Sequence, residues 1–298
     1  MTAPVNIRAT DDVAHDAALE ASLAGASALR AAATGYMAAA GEHPGVLLSG
    51  VTILLYGFGA ARAFDGRLRQ PGLGARRPRG WLHSDEVPDV AWVAAPGNLP
   101  ALFVALGYDE DHRNAMVFRA GINRAHAAGS DARASLIEHI QDRGGNAWAD
   151  PQLHRSLLHI AGASQGGMLG RGDFEVTGTL DVAGERLTDE GGSLLRVPWA
   201  TEAAEPTAGC SVEAVCAIDR RGTAAVIVYE RCVNGIQVPD WGLLAPRASQ
   251  PVIRGVPRIR PGTPRSMPCP AEIRFSGTST LQCALVSGAA ALKVLPPE

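Results

Sequence analysis

Two groups of arginines are the first residues in this chain whose type and spacing suggest chemistry. Arg62, Arg67, Arg69, Arg76, Arg77 and Arg79 crowd one segment, and Arg247, Arg254, Arg258, Arg260 and Arg265 another. A guanidinium offers two parallel N–H donors that match the two oxygens of a carboxylate, so either segment could face an anionic ligand. A solvated loop surface would use the same residues. Other constellations are poorer. Of the histidines, only His154 and His159 lie close in sequence, at i and i+5, on different faces of a helix. No HxxxH or HxxE spacing occurs, so no metal site and no cofactor are expected. The five cysteines, Cys210, Cys216, Cys232, Cys269 and Cys283, are odd in number and lack CxxC spacing. They point to neither a disulfide framework nor zinc, and fit a reducing compartment. Ser164 in G-A-S-Q-G is a near miss of the G-x-S-x-G elbow, but it ends a helical pattern and reads as a C-cap loop. Trp148, Trp199 and Trp241 read as packing anchors.

The elements that must position such residues follow from composition and periodicity. With 298 residues and 46% hydrophobic content the chain can bury a large core, while only 5% aromatics imply close packing through alanine and glycine. A net charge of −3 gives no reason to expect nucleic acid or an anionic membrane as partner. The longest uncharged run, Pro44 to Ala61, is too short and too rich in glycine to cross a bilayer and reads as a buried strand. The opening MTAPVNIRATDDVAHD lacks a basic stretch followed by an apolar one, so no secretory signal is read and a cytoplasmic location is expected.

Residues 12 to 41 show helical spacing broken near Gly25 or Gly35. Val51 to Tyr56 and Arg62 to Asp65 read as a hairpin around Gly57 to Gly59. A loop over 70 to 90 precedes a short strand at Ala91 to Ala95 and a helix through Leu99, Leu102, Phe103 and Leu106. Helices are expected over 113 to 128, 131 to 143 and 151 to 163, the last with Asp150 as N-cap and Pro151 in first position. Strands are expected at 174 to 181, 193 to 199, 212 to 219, 223 to 230 and 271 to 276, and a final helix at Leu281 to Leu292. That order predicts an α+β fold of two antiparallel sheets covered by helix layers.

Several segments, in order, resemble the γ-glutamyltransferase family of N-terminal nucleophile hydrolases. AVCAIDRRGTAAVIVYERCVNGIQVPDWGLLAP is similar to the family's small-subunit core, and GVTILLYGFGAARAFDGR (Gly50 to Arg67) to its glycine-rich hairpin ending in D-x-R. VAAPGNLPALFVAL (Val93 to Leu106), DPQLHRSLLHIA (150 to 161) and GTPRSMPCP (Gly262 to Pro270) are similar to three further family segments. The resemblance implies a four-layer αββα sandwich. It treats 1–298 as one domain, with 1–209 like the family's large subunit and 210–298 like its small one. The chain is shorter than a typical member.

The resemblance also implies an activity, amide hydrolysis or acyl transfer on a small carboxylate-bearing amide. In the family a threonine freed by autocleavage attacks the amide, with its own α-amine as base. Counting back from Asp219, that position falls on Val212, which has no nucleophilic atom, and T-T-H becomes Val212-Glu213-Ala214. A shift of the strand by one or two residues places Ser211 or Cys210 at its head, making Cys210 and Ser211 the candidate nucleophiles; Gly209 suits a strained cleavage point. Thr207 is a further candidate. Arg67 maps to the substrate-carboxylate arginine, and Ser266 and Met267 to the serine and methionine of the S-S-M segment, whose first serine is Arg265. The oxyanion loop G-S-P-G-G becomes Ser276-Gly277-Thr278-Ser279-Thr280, and two polar side chains downstream become Glu230 and Cys232. These departures open a second expectation, a catalytically impaired or non-catalytic binding or scaffold protein. As partners the reading allows a small carboxylate or amide, a homo-oligomer, or pairing with a related chain.

Overall fold

Two helices near the N-terminus show how so much alanine and glycine is used. The computed structural model describes residues 5–57, 59–75, 80–109, 114–175, 180–189, 192–200, 205–268, 271–277, 280–286 and 291–297. Strand β1 (Val5–Ala9) leads into α1 (Asp12–Leu23), which Asp11 caps by accepting the Ala14 N–H at 2.9 Å. The break falls at Gly25, where φ is +90°, and α2 (Ala28–Glu42) runs through Gly35 without interruption. β2 (Val51–Gly57) and β3 (Ala60–Gly66) form the expected hairpin.

Helices α3 (Asn98–Leu106), α4 (Asn114–Ala127), α5 (Asp131–Arg143) and α6 (Pro151–Ala161) follow at the expected places, α6 with Asp150 accepting the Gln152 N–H. Gly41 of α2 faces Gly121 of α4 so closely that a Cβ on Gly41 would lie 2.0 Å from the Gly121 carbonyl oxygen.

The second half is β4 (Asp181–Ala183), β5 (Glu185–Asp189), β6 (Gly192–Arg196), β7 (Cys210–Asp219), β8 (Ala224–Cys232), β9 (Ile236–Val238), β10 (Leu243–Ala245), β11 (Ala271–Ser276), β12 (Thr280–Val286) and β13 (Leu292–Val294). One antiparallel sheet has the order β1-β7-β8-β2-β3-β4 and another β13-β12-β11-β6-β5, with β9 and β10 as a small pair apart. Apolar side chains of the helices cover one face of the first sheet, through Val215, Ala217, Ile227 and Tyr229. The other face, with Val212, Ala214, Cys216, Ile218, Val226 and Val228, packs on Leu195, Ile273, Phe275, Ala284 and Val286 of the second sheet. The α+β sandwich of two antiparallel sheets with helices is therefore present.

Three local expectations are corrected. In place of the helix expected from Leu281 to Leu292, residues 281–286 are strand: β12 pairs with β11 on one side and β13 on the other, and this ladder overrides the helical preference of its leucines and alanines. Ala91 to Ala95 is not a strand; a 3₁₀ turn over Asp89–Trp92 is followed by single bridges from Val93 to Arg247 and Ala95 to Arg69. Phe174, expected to open a strand, instead ends a 3₁₀ turn at Arg171–Phe174 whose Asp173 carboxylate collects the N–H groups of Gly72, Leu73 and Gly170, and β4 starts at Asp181. Residues 176 to 179 lie outside the described residues.

Candidate functional site

The alternation of β7 and β8 decides which side chains can meet. Residues 210, 212 and 214 of β7 and 228, 230 and 232 of β8 face the space between the sheets, while 211 and 213 of β7 and 229 and 231 of β8 face the helices. The register sets Cys210 opposite Cys232, Ser211 opposite Arg231, and Val212 opposite Glu230.

Ser211 and Cys210 therefore part company. On the helix side, Ser211 donates to Glu213 Oε1 at 3.0 Å, and Glu213 lies 3.4 Å from Arg231. Arg231 reaches Asp11 at 3.4 Å, and Asp11 bonds His43 at 2.7 Å. Burial pushes the Asp11 carboxyl up, but the His43 bond, the Ala14 N–H and the charges of His43 and Arg231 outweigh it and hold the carboxyl below its ordinary value. This polar network ties α1 and α2 to the sheet. On the inner side, Cys210 is half-buried and hydrogen-bonds Cys232; that bond and burial raise the Cys210 thiol, and the same bond lowers the Cys232 thiol.

Ahead of β7 the chain turns back on itself. The Cys210 N–H bonds the Thr207 carbonyl at 2.8 Å, and Gly209 takes φ +74°. The turn lays Thr207 over Glu230, whose side chain comes from the position opposite Val212. The Thr207 N–H donates to Glu230 Oε1 at 2.8 Å and its hydroxyl to Oε2 at 3.1 Å. Glu230 is only 2% exposed. Burial raises its carboxyl above the ordinary value, against a weaker downward pull from the N–H groups of Thr207 and Gly50 and the Thr207 hydroxyl.

Thr207 lines a cavity of about 440 Å³ together with Asp89, Trp92, Arg247, Arg265 and Ser266. Arg247 is paired with Asp89 at 2.7 Å, whereas no carboxylate among the described residues pairs with Arg265. The resulting arrangement is a hydroxyl seated on a buried carboxylate at the edge of a hollow lined by two arginines, Arg247 and Arg265, and two acids, Asp89 and Glu205. A hydroxyl whose proton has an adjacent acceptor is the general form of an activated nucleophile.

Of the carboxylate-binding candidates, Ser266 lines this cavity. Met267 is buried, its sulphur 4.0 Å from the Thr52 hydroxyl. Arg67 is already engaged: its Nε and one terminal nitrogen bond the two Asp65 oxygens at 2.9 and 3.0 Å, and its guanidinium lies 4.8 Å above the Trp199 ring. Trp199 thus carries a cation rather than only packing, and its indole N–H reaches Thr52. Arg69 also approaches Asp65, at 3.8 Å. Arg254, Arg258 and Arg260 lie exposed on the surface, and Arg76, Arg77 and Arg79 fall outside the described residues, as do Thr278 and Ser279 of the expected oxyanion loop. Ser164 sits in a 3₁₀ turn beyond the end of α6. Among the described residues no group of three or more His, Cys, Asp and Glu comes together as a metal site, and no helix is long and apolar enough to cross a membrane.

Sequence reasoning offered Thr207 as a further nucleophile candidate and Glu230 or Glu213 as an acid or base, and the structure brings Thr207 and Glu230 together. The register count along the strand gives Val212, whereas Thr207 meets Glu230 from the loop ahead of the strand. The signal available was Gly209, which permits the reversal that carries Thr207 back over the strand head.

No protein-family model and no curated protein matches the chain in sequence. Among solved structures it is similar to a cephalosporin acylase from Bacillus halodurans, with a TM-score of 0.70 at 12% identity over 95% of this chain and 77% of that one. LmbA2991HD gives 0.69 at 13% identity over 97% and 79%. A γ-glutamyltranspeptidase from Pseudomonas nitroreducens, complexed with L-DON, gives 0.53 at 17% identity over 63% and 69%. The fold is thus that of the N-terminal nucleophile hydrolases, including the γ-glutamyltransferase kind.

Proposed function

We propose that this chain is an amide hydrolase or acyl transferase acting on a small carboxylate-bearing amide, with Thr207 as nucleophile and Glu230 as its base. The observation that carries this reading is the double hydrogen bond from Thr207 to the buried Glu230 carboxylate beside the Arg265-lined cavity. The fold shared with a cephalosporin acylase and a γ-glutamyltranspeptidase supports it, and the rest is chemistry. Thr207 Oγ attacks the amide carbonyl carbon while its proton passes to Glu230. The C–N bond then breaks, the proton leaves with the departing amine, and water or a second amine releases the acyl group from Thr207. Arg265, with Ser266 beside it, receives the substrate carboxylate.

Thr207 takes precedence over the other two candidates for physical reasons. Cys210 donates its proton to Cys232 and is harder to ionise than a free thiol, and Ser211 faces the helices. The test is a set of acyl p-nitroanilides that carry or lack a free carboxylate on the acyl group. Nitroaniline release that prefers the carboxylate-bearing members and vanishes in Thr207→Val is expected. Equal release from wild type and Thr207→Val would overturn the assignment of the nucleophile.

A second reading, a non-catalytic binding or scaffold protein on the same fold, is favoured by Val212 at the reacting position and by the closure of Arg67 on Asp65. Calorimetric binding of small dicarboxylates with no turnover of any anilide would select it.

A further inference from the structure

Two thiols face each other where the turn that carries Thr207 enters β7 beside the strand that carries Glu230, and neither reading above uses them. Cys210 stands at the first position of β7 and Cys232 at the last of β8, as register partners. The hydrogen bonds around them fix the type of pair. The Val233 N–H bonds the Gly209 carbonyl at 2.8 Å, the Cys232 N–H turns outward to the Gly45 carbonyl at 2.9 Å, and the Cys210 N–H turns to Thr207. Cys210 and Cys232 are thus a non-hydrogen-bonded antiparallel pair, in which Cα atoms lie about 4.5 Å apart and side chains are at their closest. That spacing falls within the roughly 4.4–6.8 Å that a disulfide spans. Both side chains point into the space between the sheets, and both cysteines are free in this structure.

We propose that Cys210 and Cys232 are a hydroperoxide-oxidisable dithiol that closes reversibly into a cross-strand disulfide. Their environments divide the labour. Cys232 accepts the Cys210 bond and a neighbouring backbone N–H and has the Arg247 charge near it, and together these outweigh its burial and the Glu230 charge and favour its thiolate. Cys210 is half-buried and keeps its proton. The Cys232 thiolate attacks one oxygen of a small hydroperoxide, breaking the O–O bond to give a sulfenic acid and releasing hydroxide or alkoxide. The Cys210 sulphur then attacks the Cys232 sulphur, the S–O bond breaks, and the oxygen leaves as water with the Cys210 proton. Two electrons pass from the thiols to the peroxide, and a dithiol reductant reverses the change. The disulfide would staple the turn that holds Thr207 to the strand that holds Glu230. The other described cysteines, Cys216 and Cys283, are buried on separate sheets.

The experiment is thiol counting and peptide mapping of the full chain after hydrogen peroxide, followed by alkylation in denaturant. The reduced protein titrates five thiols. Oxidised wild type is expected to titrate three, to yield one linked peptide pair containing Cys210 and Cys232, and to regain all five with dithiothreitol. In Cys210→Ser, which leaves Cys232 without a resolving partner, dimedone is expected to label Cys232. Five thiols after peroxide, or a linked pair that omits either residue, would overturn the proposal. So would a dimedone adduct on Cys232 of equal yield in wild type and Cys210→Ser. Because the readout is thiol chemistry, it stands whether or not the chain turns over an amide.

Discussion

Thr207 gives both of its donors to one side chain, the amide to Glu230 Oε1 and the hydroxyl to Oε2. A glutamate 2% exposed has few other partners to satisfy it, so the two residues are mutually dependent. Glu230→Gln keeps the shape and removes the proposed base. Amide cleavage is expected to fall about 10²- to 10⁴-fold, the usual worth of general-base assistance, while Thr207→Ser retains measurable turnover. A steady-state anilide assay of the three proteins checks this; equal rates would refute the dyad.

The upward displacement of the Glu230 carboxyl by burial has two consequences for pH. The base must be ionised, so kcat/KM should rise with pH to a plateau, with its midpoint above the ordinary carboxylate range. Stability moves the other way. A carboxyl whose folded-state value is raised contributes stability that is fully present below its unfolded value and is lost as pH rises through the folded one. Glu230→Gln should therefore gain in urea midpoint relative to wild type as pH rises through the folded-state value.

Asp11 has the opposite sign. Its lowered value means that its contribution is present above the unfolded carboxylate value and lost as pH falls through the folded one. Asp11→Asn weakens the pair with His43 and leaves Arg231 with Glu213 alone. A loss on the order of 1–3 kcal/mol is expected near neutrality from the weakened charged hydrogen bonds, since asparagine still caps α1. Denaturant unfolding at neutral pH and at pH 3 should show the difference between wild type and variant shrinking in acid.

Arg67 and Arg265 should separate in a ligand titration. Arg67 is committed to Asp65 by two parallel bonds, whereas Arg265 opens on the cavity. Arg265→Ala is expected to weaken glutarate binding about tenfold or more, in line with about 1.5–3 kcal/mol for a charged hydrogen bond. Arg67→Ala should change it less and lower stability more. Calorimetry on both variants decides the point, and the reverse order would return the carboxylate to Arg67.

Gly41 offers a check on the helix layer alone. With the Gly121 carbonyl 2.0 Å from where a Cβ would sit, Gly41→Ala must force α2 and α4 apart, at about 1–3 kcal/mol or more. A thermal midpoint equal to wild type would mean that the two helices are not so close.

Much of the frame was legible because periodicity reports burial. The alternation through Val212 to Ile218 and the Asp150-Pro151 helix start both led to the right elements. The C-terminal helix failed because residues 281–286 owe their state to partners on two sides, which local composition does not encode. The site was half legible for a similar reason. Ser266 was placed by its motif and lines the cavity, but Thr207 reaches Glu230 through a loop reversal, and a residue count along a strand carries no information about a loop that folds back. Asp65 was read only as part of a D-x-R motif, and its grip on Arg67 is a tertiary fact of side-chain direction.

The order of strands in the first sheet bears on how this protein comes into being. β1 and the β2–β3 hairpin are made early, yet the strands that join them, β7 and β8, are completed only at Asp219 and Cys232. On the ribosome the alanine-rich helices must wait for most of the chain without the sheet they cover, their apolar faces open to water and to other chains. Closing the sheet means bringing Thr10 to Ala214 across 204 residues, so its assembly belongs to the slow, non-local class of folding reactions. Nascent chains cut short before β8 are accordingly the species a chaperone would meet.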